Sequence, residues 1–260
     1  MPETLTPPRG TQPAGAHTPE EASRRVREMF GRIAPRYDLL NHVLSLQLDR
    51  LWRRRVARRV RGILQGPDAV VLDLCCGTGD LALALAGAGT ARVLGADFAH
   101  SMLLRAREKA AAASRRNRAG EPPILSLLEA DALRLPFADS SFDLVASAFG
   151  FRNLTAYEAG LLEMHRVLKP GGTLAILEFA EPRPGFFGSL YRWYSRAVLP
   201  RIGGLISRDR SAYAYLPASI SKFFQPEELA AAMSKAGYGS VRFELWAGGA
   251  VALHMGKRPG

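Results

Sequence analysis

From Val70 onward the chain alternates between two hydrophobic patterns. Short runs dense in Val, Leu and Ala are followed by longer stretches whose apolar residues recur at helical spacing. The pattern predicts strands over Val70–Leu74, Ala91–Ala96, Ile124–Leu128, Phe142–Ser147 and Thr173–Phe179. It predicts helices from Asp80, over Ser101–Ser114 and over Ala156–Leu168. Such alternation implies a parallel, doubly wound sheet with right-handed crossovers. Farther on, Pro226–Ala236 reads as a helix, and Val241–Trp246 and Ala250–Met255 as strands. Only Ala247-Gly248-Gly249 joins these two strands, too short a link for a parallel crossover, so they should pair antiparallel. The expected fold is α/β, a seven-stranded and mostly parallel sheet ending in an antiparallel C-terminal hairpin.

Upstream the pattern changes. Residues 1–19, rich in Pro, Thr and Gly, read as a disordered tail. Thr18-Pro19-Glu20-Glu21 has the signature of a helix start, with a capping hydroxyl, a proline at the first position and acids in the first turn. From Glu20 to Ile63 the chain reads as helical pieces broken near Pro35, with Met29, Phe30, Ile33, Tyr37, Leu40, Val43 and Leu44 on an apolar face. Leu48, Trp52, Val56 and Val60 then fall four apart along an Arg-rich helix. A helix of this kind lies on an anionic membrane surface or docks on the domain with its arginines in water; the narrow stripe favours docking. Gly66-Pro67 ends the N-terminal helical segment (20–66). The main domain is expected over 67–260, with a lid-like, aromatic-rich insertion at about 181–220.

With 260 residues, 47% of them hydrophobic, the chain has material for one substantial core. No apolar run is long enough to span a bilayer and the N-terminus carries no signal-like apolar stretch, so a soluble, cytoplasmic protein is expected. The two cysteines, Cys75 and Cys76, are adjacent, which leaves neither a disulfide framework nor a Cys-x-x-Cys metal site. A formal charge of +11 suits polyanions, nucleic acid or an anionic membrane surface, without choosing between them. Nothing in the residues decides the oligomeric state; a homodimer is a guess.

Candidate chemistry concentrates in Val70–Asp80. An apolar strand with one carboxylate, Asp73, runs into Gly77-x-Gly79, and a helix follows. The glycines let a ligand approach the backbone closely, and the spacing fits the weak dinucleotide fingerprint. A pyrophosphate at the N-terminus of that helix would be repelled by Asp73 and Asp80. A cationic ligand would be attracted, and S-adenosylmethionine carries both an ammonium and a sulfonium. Ligands of doubly wound sheets sit at the carboxyl ends of the strands. Asp97 ends the second strand, near the point about 20 residues past the glycines where a ribose-binding acid is expected. Asp131 is placed to accept from an adenine amine, with the Ala132 backbone beside it. The expected cofactor site is thus Asp73, Gly77, Thr78, Gly79, Asp80, Asp97, Asp131 and Ala132. After the fourth strand comes Phe149-Gly150-Phe151-Arg152-Asn153, in place of the Asn/Asp-Pro-Pro-aromatic tetrad common in nucleic-acid amino-methyltransferases. Arg152 suits stabilisation of a phenolate-like oxygen, and Asn153 can orient a hydroxyl or carbonyl.

These segments, with Tyr37-Asp38…Asn41, Arg166-Val167-Leu168-Lys169-Pro170-Gly171-Gly172, Leu177-Glu178-Phe179 and Tyr213-Ala214-Tyr215-Leu216-Pro217-Ala218-Ser219-Ile220, resemble the ubiquinone/menaquinone biosynthesis C-methyltransferase family over about 26–257. Asp49, Ala148 and Phe224-Gln225 depart from the usual residues there. The resemblance implies a Rossmann-like methyltransferase with S-adenosylmethionine as cofactor, methylating a ring carbon of a demethylated polyprenyl quinol. The menaquinone branch comes before the ubiquinone branch, and a nucleic-acid methyltransferase is the more distant alternative. It further implies Arg152, Asn153, Tyr37 and Asp38 as the catalytic set, with the ring proton leaving to Tyr37, Asp38, His42 or water. The substrate's tail would occupy the insertion, and peripheral contact with the inner face of the membrane is expected, with no nucleic-acid partner.

Overall fold

The Thr18 hydroxyl accepts from the Glu21 amide, and Pro19 stands where a helix needs no amide proton, so α1 (Pro19–Ile33) starts where its capping residues place it. The computed structural model describes residues 9–45, 47–116, 125–182, 215 and 218–260. Pro35 falls in a single 3-10 turn, Ala34–Arg36, after which α2 (Tyr37–Leu44), α3 (Leu48–Arg59) and α4 (Arg61–Leu64) complete the N-terminal segment. The sheet comprises β1 (Val70–Leu74), β2 (Arg92–Asp97), β3 (Leu125–Glu129), β4 (Phe142–Ala148), β5 (Leu168–Phe179), β6 (Gly239–Trp246) and β7 (Val251–Lys257), in the order 3-2-1-4-5-7-6. All pairings from β3 to β5 are parallel, while β7 runs antiparallel to both β5 and β6. The strand order reverses between β1 and β4, which makes their carboxyl ends the switch point.

Helices α5 (Asp80–Ala86), α6 (His100–Arg116), α7 (Tyr157–Val167) and α8 (Pro226–Lys235) cover the sheet. On one face Leu81 and Leu85 of α5 join Val71, Leu144 and Leu177, and Trp52, Val56, Val60 and Leu64 of the N-terminal segment enter the same core. The narrow stripe of α3 is therefore spent against the domain; full burial of each such side chain stabilises by about 1.5–3 kcal/mol. Leu48, the fourth member of the stripe, remains exposed. On the opposite face Leu161 and Met164 of α7 and Leu229 and Met233 of α8 pack on Leu72, Leu74, Val145 and Ile176.

Two regions differ from the expectation. Strand β5 begins at Leu168, not Thr173. Leu168 pairs with Phe142 and Thr173 with Leu144, leaving a bulge at Lys169–Gly172 where Gly171 has φ +78°. Pro170-Gly171-Gly172 has the composition of a turn, but here it interrupts a ladder that resumes on the far side. The assumed tail, 1–19, also has structure from Arg9 onward. The Tyr157 amide donates to Arg9 O at 2.8 Å and the Thr11 amide to Leu154 O at 2.7 Å. This strap lies flat because position 10 is glycine: a Cβ there would meet Thr155 O at 1.9 Å. The expected insertion at 181–220 falls largely on 183–214, 216 and 217, outside the described residues.

Candidate active site

The turns that follow β1 and β4 touch. Cys75 and Phe149, the first residues beyond the two strands, both hold left-handed backbone, φ 55° and 62°, a conformation non-glycine residues adopt only when their surroundings enforce it. Packing does so here. The Phe149 ring lies 4.6 Å from Phe179 and 6.0 Å from Trp52, centroid to centroid, and Gly150 backs so closely on Cys75 that a Cβ would sit 2.4 Å from the Cys75 Cβ. Both cysteine thiols are pushed well up by burial, which makes them packing groups and not nucleophiles.

Beyond these turns opens a cleft lined by Gly77, Asp97, Asp131, Ala132, Phe149 and Asn153 from the strand ends and by Phe30 and Tyr37 from the N-terminal helices. Six sequence-predicted residues thus share one cavity: Tyr37, Gly77, Asp97, Asp131, Ala132 and Asn153. The buried Asp97 carboxylate accepts from the Gly77 amide on Oδ2 at 2.8 Å and from the Ala99 amide on Oδ1 at 2.9 Å, tying the glycine turn to the end of β2. Burial pushes it up to about 6 against the pull of those amides. Asp131 accepts from the Leu133 amide at 2.9 Å. The Tyr37 ring packs edge-on against Phe30, and burial raises its phenol, opposed by the Arg152 charge and a hydrogen bond from Asn41.

Asp73 lies beneath the turn, 1% exposed, and burial pushes it up to about 8 against the pull of the Ala82 amide. Gly79, at φ +82°, precedes α5 and packs on Ala106 of α6.

Asp38, Thr78 and Asp80 do not line the cleft. They converge on Lys109 of α6, whose ammonium reaches Asp38 Oδ2 at 3.0 Å, Thr78 Oγ1 at 3.1 Å and the Asp80 carboxylate; the Thr78 hydroxyl also donates to Asp38 at 2.5 Å. The buried Arg53 of α3 extends the network, pairing with Asp49 at 2.5 Å and lying 3.7 Å from Asp80, while His42 bonds Asp49 at 2.9 Å. This network fastens α2 and α3 to the outer side of the glycine turn.

Arg152 stands behind the wall formed by Phe149, Gly150 and Asn153. Its Nη1 donates to Glu178 Oε2 at 2.9 Å and to Phe149 O at 2.5 Å, and its backbone amide donates to Glu178 Oε1 at 3.1 Å. Both partners of this ion pair are buried, and the Glu178 charge raises the guanidinium further. Asn153 faces the cleft, its Oδ1 accepting the Tyr215 hydroxyl at 2.9 Å.

Sequence reasoning passed over Lys109, Arg53, Tyr215 and the role of Glu178. Glu178 carried a signal as an acid at the end of a strand otherwise apolar from Leu174, and Tyr215 carried one as part of the Tyr213–Ile220 segment of the resemblance. The lining fits a nucleoside cofactor: two acids at strand ends, Asp97 and Asp131, and Gly77 where a ligand approaches the backbone.

Residues 18–258 match the model of the ubiE/COQ5 methyltransferase family. A demethylmenaquinone methyltransferase of Thermus thermophilus is 52% identical over 89% of this chain and 100% of its own length. One of Deinococcus radiodurans is 47% identical over 84% and 87%. Among solved structures, an S-adenosylmethionine-dependent methyltransferase of Thermotoga maritima superposes with a TM-score of 0.59 at 19% identity, covering 89% of this chain and 99% of that one, a likeness of fold.

Proposed function

Because the chain belongs to the ubiE/COQ5 methyltransferase family, we propose that it methylates a ring carbon of a demethylated polyprenyl quinol, demethylmenaquinol ahead of a ubiquinone precursor. S-adenosylmethionine supplies an electrophilic methyl group. The observation that carries the reading is the placement of Asn153 and Tyr37 on the same cleft as Asp97, with the buried Arg152–Glu178 pair directly behind.

Carbon methylation needs electron donation from a neighbouring ring oxygen, and phenols ionise only near pH 10. With its Oδ1 turned to Tyr215, Asn153 is left with amide donors to offer that oxygen. Arg152 adds positive charge from behind and holds the Phe149–Asn153 loop, so its part is electrostatic and positional. In-line displacement places a premium on holding the ring at a fixed angle, and Tyr37 and Phe30 supply an aromatic wall. Of the three protein groups considered for the ring proton, Tyr37 alone reaches the cleft, and its raised phenol is protonated at neutral pH. Asp38 and His42 are engaged in the Lys109 and Asp49 contacts. Water is therefore the favoured acceptor.

For cofactor binding, Asp97 is assigned to the ribose hydroxyls, Asp131 and Ala132 to the adenine, and Gly77 and Gly79 to the close backbone approach; Asp73, buried beneath the turn and pushed up to about 8, is a neutral carboxyl at pH 7 that lies outside the cleft lining. Thr78 and Asp80 support the turn through Lys109.

A test is methyl transfer from labelled S-adenosylmethionine to chemically reduced demethylmenaquinone, beside its oxidised form and a benzoquinol analogue. Label in the reduced naphthoquinol alone is expected; none in any quinol, with the cofactor still bound, would overturn the reading.

Such a substrate resides in a lipid phase. No helix among the described residues is long and apolar enough to cross a membrane. The exposed face of α3 presents Leu48 and Leu51 beside Arg55, Arg58 and Arg59 in a groove shared with Trp246. That groove adjoins the β6–β7 turn, where the Ala180 amide beyond β5 donates to Ala250 O, at the same end of the sheet as the cleft. This face is assigned to contact with an anionic membrane surface. Arg54, beside that groove, and Arg58 are both exposed on α3, and Arg54→Glu/Arg58→Glu, at about 1 kcal/mol per basic residue, should cut sedimentation with anionic vesicles at least tenfold. Added salt should do the same. Equal binding to neutral vesicles would refute it.

A further inference from the structure

The strap that precedes the family-matched stretch reaches the cleft through a chain of hydroxyls. Thr11, 7% exposed, is anchored by its own amide on Leu154 O, and its Oγ1 lies 2.8 Å from the Tyr215 hydroxyl, which donates to Asn153 Oδ1 at 2.9 Å. A phenol has one proton. With that proton directed at Asn153, Thr11 must be the donor to Tyr215, so the chain runs one way: Thr11 O–H to Tyr215 O–H to the carboxamide oxygen. A carboxamide that accepts on Oδ1 presents its amino group on the other side, and Asn153 is the member of this chain that lines the cleft.

Further contacts hold the strap in place. Arg9 pairs with Glu228 of α8 at 3.2 Å and lies over the Phe224 ring at 4.3 Å, while Arg25 of α1 donates to Ala14 O at 2.8 Å. Gly10 permits the close backbone approach. The segment that composition alone would call a loose tail is thereby fixed at both of its ends, with its one buried hydroxyl aimed at the residue that carries the substrate-facing amide.

We infer that the strap Arg9–Ala14 is part of the active site of this chain, with Thr11 a positioning residue that sets the orientation of the Asn153 amide through Tyr215. The inference rests on the quinol methyltransferase reading. If Thr11 acts in this way, loss of its hydroxyl loosens the amide and weakens the hold on the quinol oxygen. It leaves the cleft acids assigned to the cofactor, Asp97 and Asp131, undisturbed.

The test is methyl transfer to reduced demethylmenaquinone by the full chain and by Thr11→Val, Thr11→Ser, Tyr215→Phe, Gly10→Ala and the double variant Thr11→Val/Tyr215→Phe. The cofactor Kd and melting temperature of each variant are followed alongside. Thr11→Val should lower kcat/KM for the quinol by about three- to tenfold, the worth of one hydrogen bond, with cofactor Kd and melting temperature unchanged, and Thr11→Ser should restore it. Gly10→Ala, which lifts the strap off Thr155, should reproduce the loss. In the double variant Thr11→Val should add nothing to Tyr215→Phe, because both break the same chain. An active full chain with Thr11→Val within twofold of it would overturn the inference. So would a loss that Thr11→Ser does not restore, or one matched by weaker cofactor binding and lower melting temperature. An inactive full chain with cofactor bound would overturn the functional reading, and the inference with it.

Discussion

Arg152→Met should lower stability by about 3–5 kcal/mol, because it leaves Glu178 charged and unpaired in the interior. In a chain of this size that is a fall of about 10 °C in melting temperature. Glu178 is 1% exposed and has Arg152 as its ion-pair partner, bonded both by the guanidinium and by the backbone amide. Desolvating two charges is costly, and removing one partner keeps the cost while losing the compensation. Arg152→Met/Glu178→Gln should therefore recover most of the stability: the neutral amide still accepts from the Arg152-position backbone and leaves no buried charge. Activity should behave differently. If the positive charge behind Asn153 favours the developing phenolate, both the single and the double variant should lose more than tenfold in kcat, with cofactor affinity preserved. Thermal melts and turnover of the same three proteins separate the effects. A double variant that regains both stability and activity would reduce Arg152 to a structural ion pair, and a single variant as stable as the parent would refute the buried pair itself.

The glycine turn was legible because its information is local. An apolar strand, two glycines and a helix-forming run lie within Val70–Ala86, and β1 has the bounds that its periodicity predicts. Three strand-end positions on the cleft followed from one topological rule, which places Asp97, Asp131 and Phe149–Asn153 at one end of the sheet before any side chain is seen. The same rule applied to β5 points to Glu178. What was not legible are contacts between residues far apart in the chain. Lys109 is 71 positions from Asp38 and 31 from Thr78, and nothing along the α6 helix distinguishes it from a solvated lysine. Asp38 and Asp80 stand beside the candidate motifs in the sequence, so their residue type suggests ligand binding, whereas their partners in the fold are the Lys109 ammonium and, near Asp80, the Arg53 guanidinium. The strap was hidden for a related reason: its contacts are backbone hydrogen bonds to Leu154–Tyr157, which any sequence can make if one glycine lets the chains approach.

Asp97→Asn should weaken S-adenosylmethionine binding on the order of a hundredfold near neutral pH and remove a step in its pH dependence. Both carboxylate oxygens already accept one backbone amide, from Gly77 and Ala99. Each has a second lone pair for a ribose hydroxyl, and charge-assisted bonds of this kind are worth about 1.5–3 kcal/mol each. The neutral amide offers one oxygen in place of two and no charge, and its amino group faces a backbone N–H. The pH dependence follows from the raised carboxyl, at about 6. Hydroxyl donors and a cationic ligand prefer the ionised form, so affinity should rise as pH increases through about 6 and flatten above it. The free protein runs the other way. A carboxyl raised above its unfolded value of about 3.9 stabilises the fold fully at low pH, and that contribution is lost as pH rises through the folded pKa. The cofactor should therefore raise the melting temperature more at pH 7 than at pH 5. Asp73, pushed up to about 8, titrates above this window, as does a ligand α-amino group at about 7.7–8.0, so neither contributes to a step between pH 5 and 7, and Asp97→Asn tells the Asp97 step from that of any histidine. Calorimetric titration at constant ionic strength should show the step near pH 6 in the parent chain and a flat profile in Asp97→Asn. A step that survives the substitution would assign the proton to another group and move the ribose contact away from Asp97.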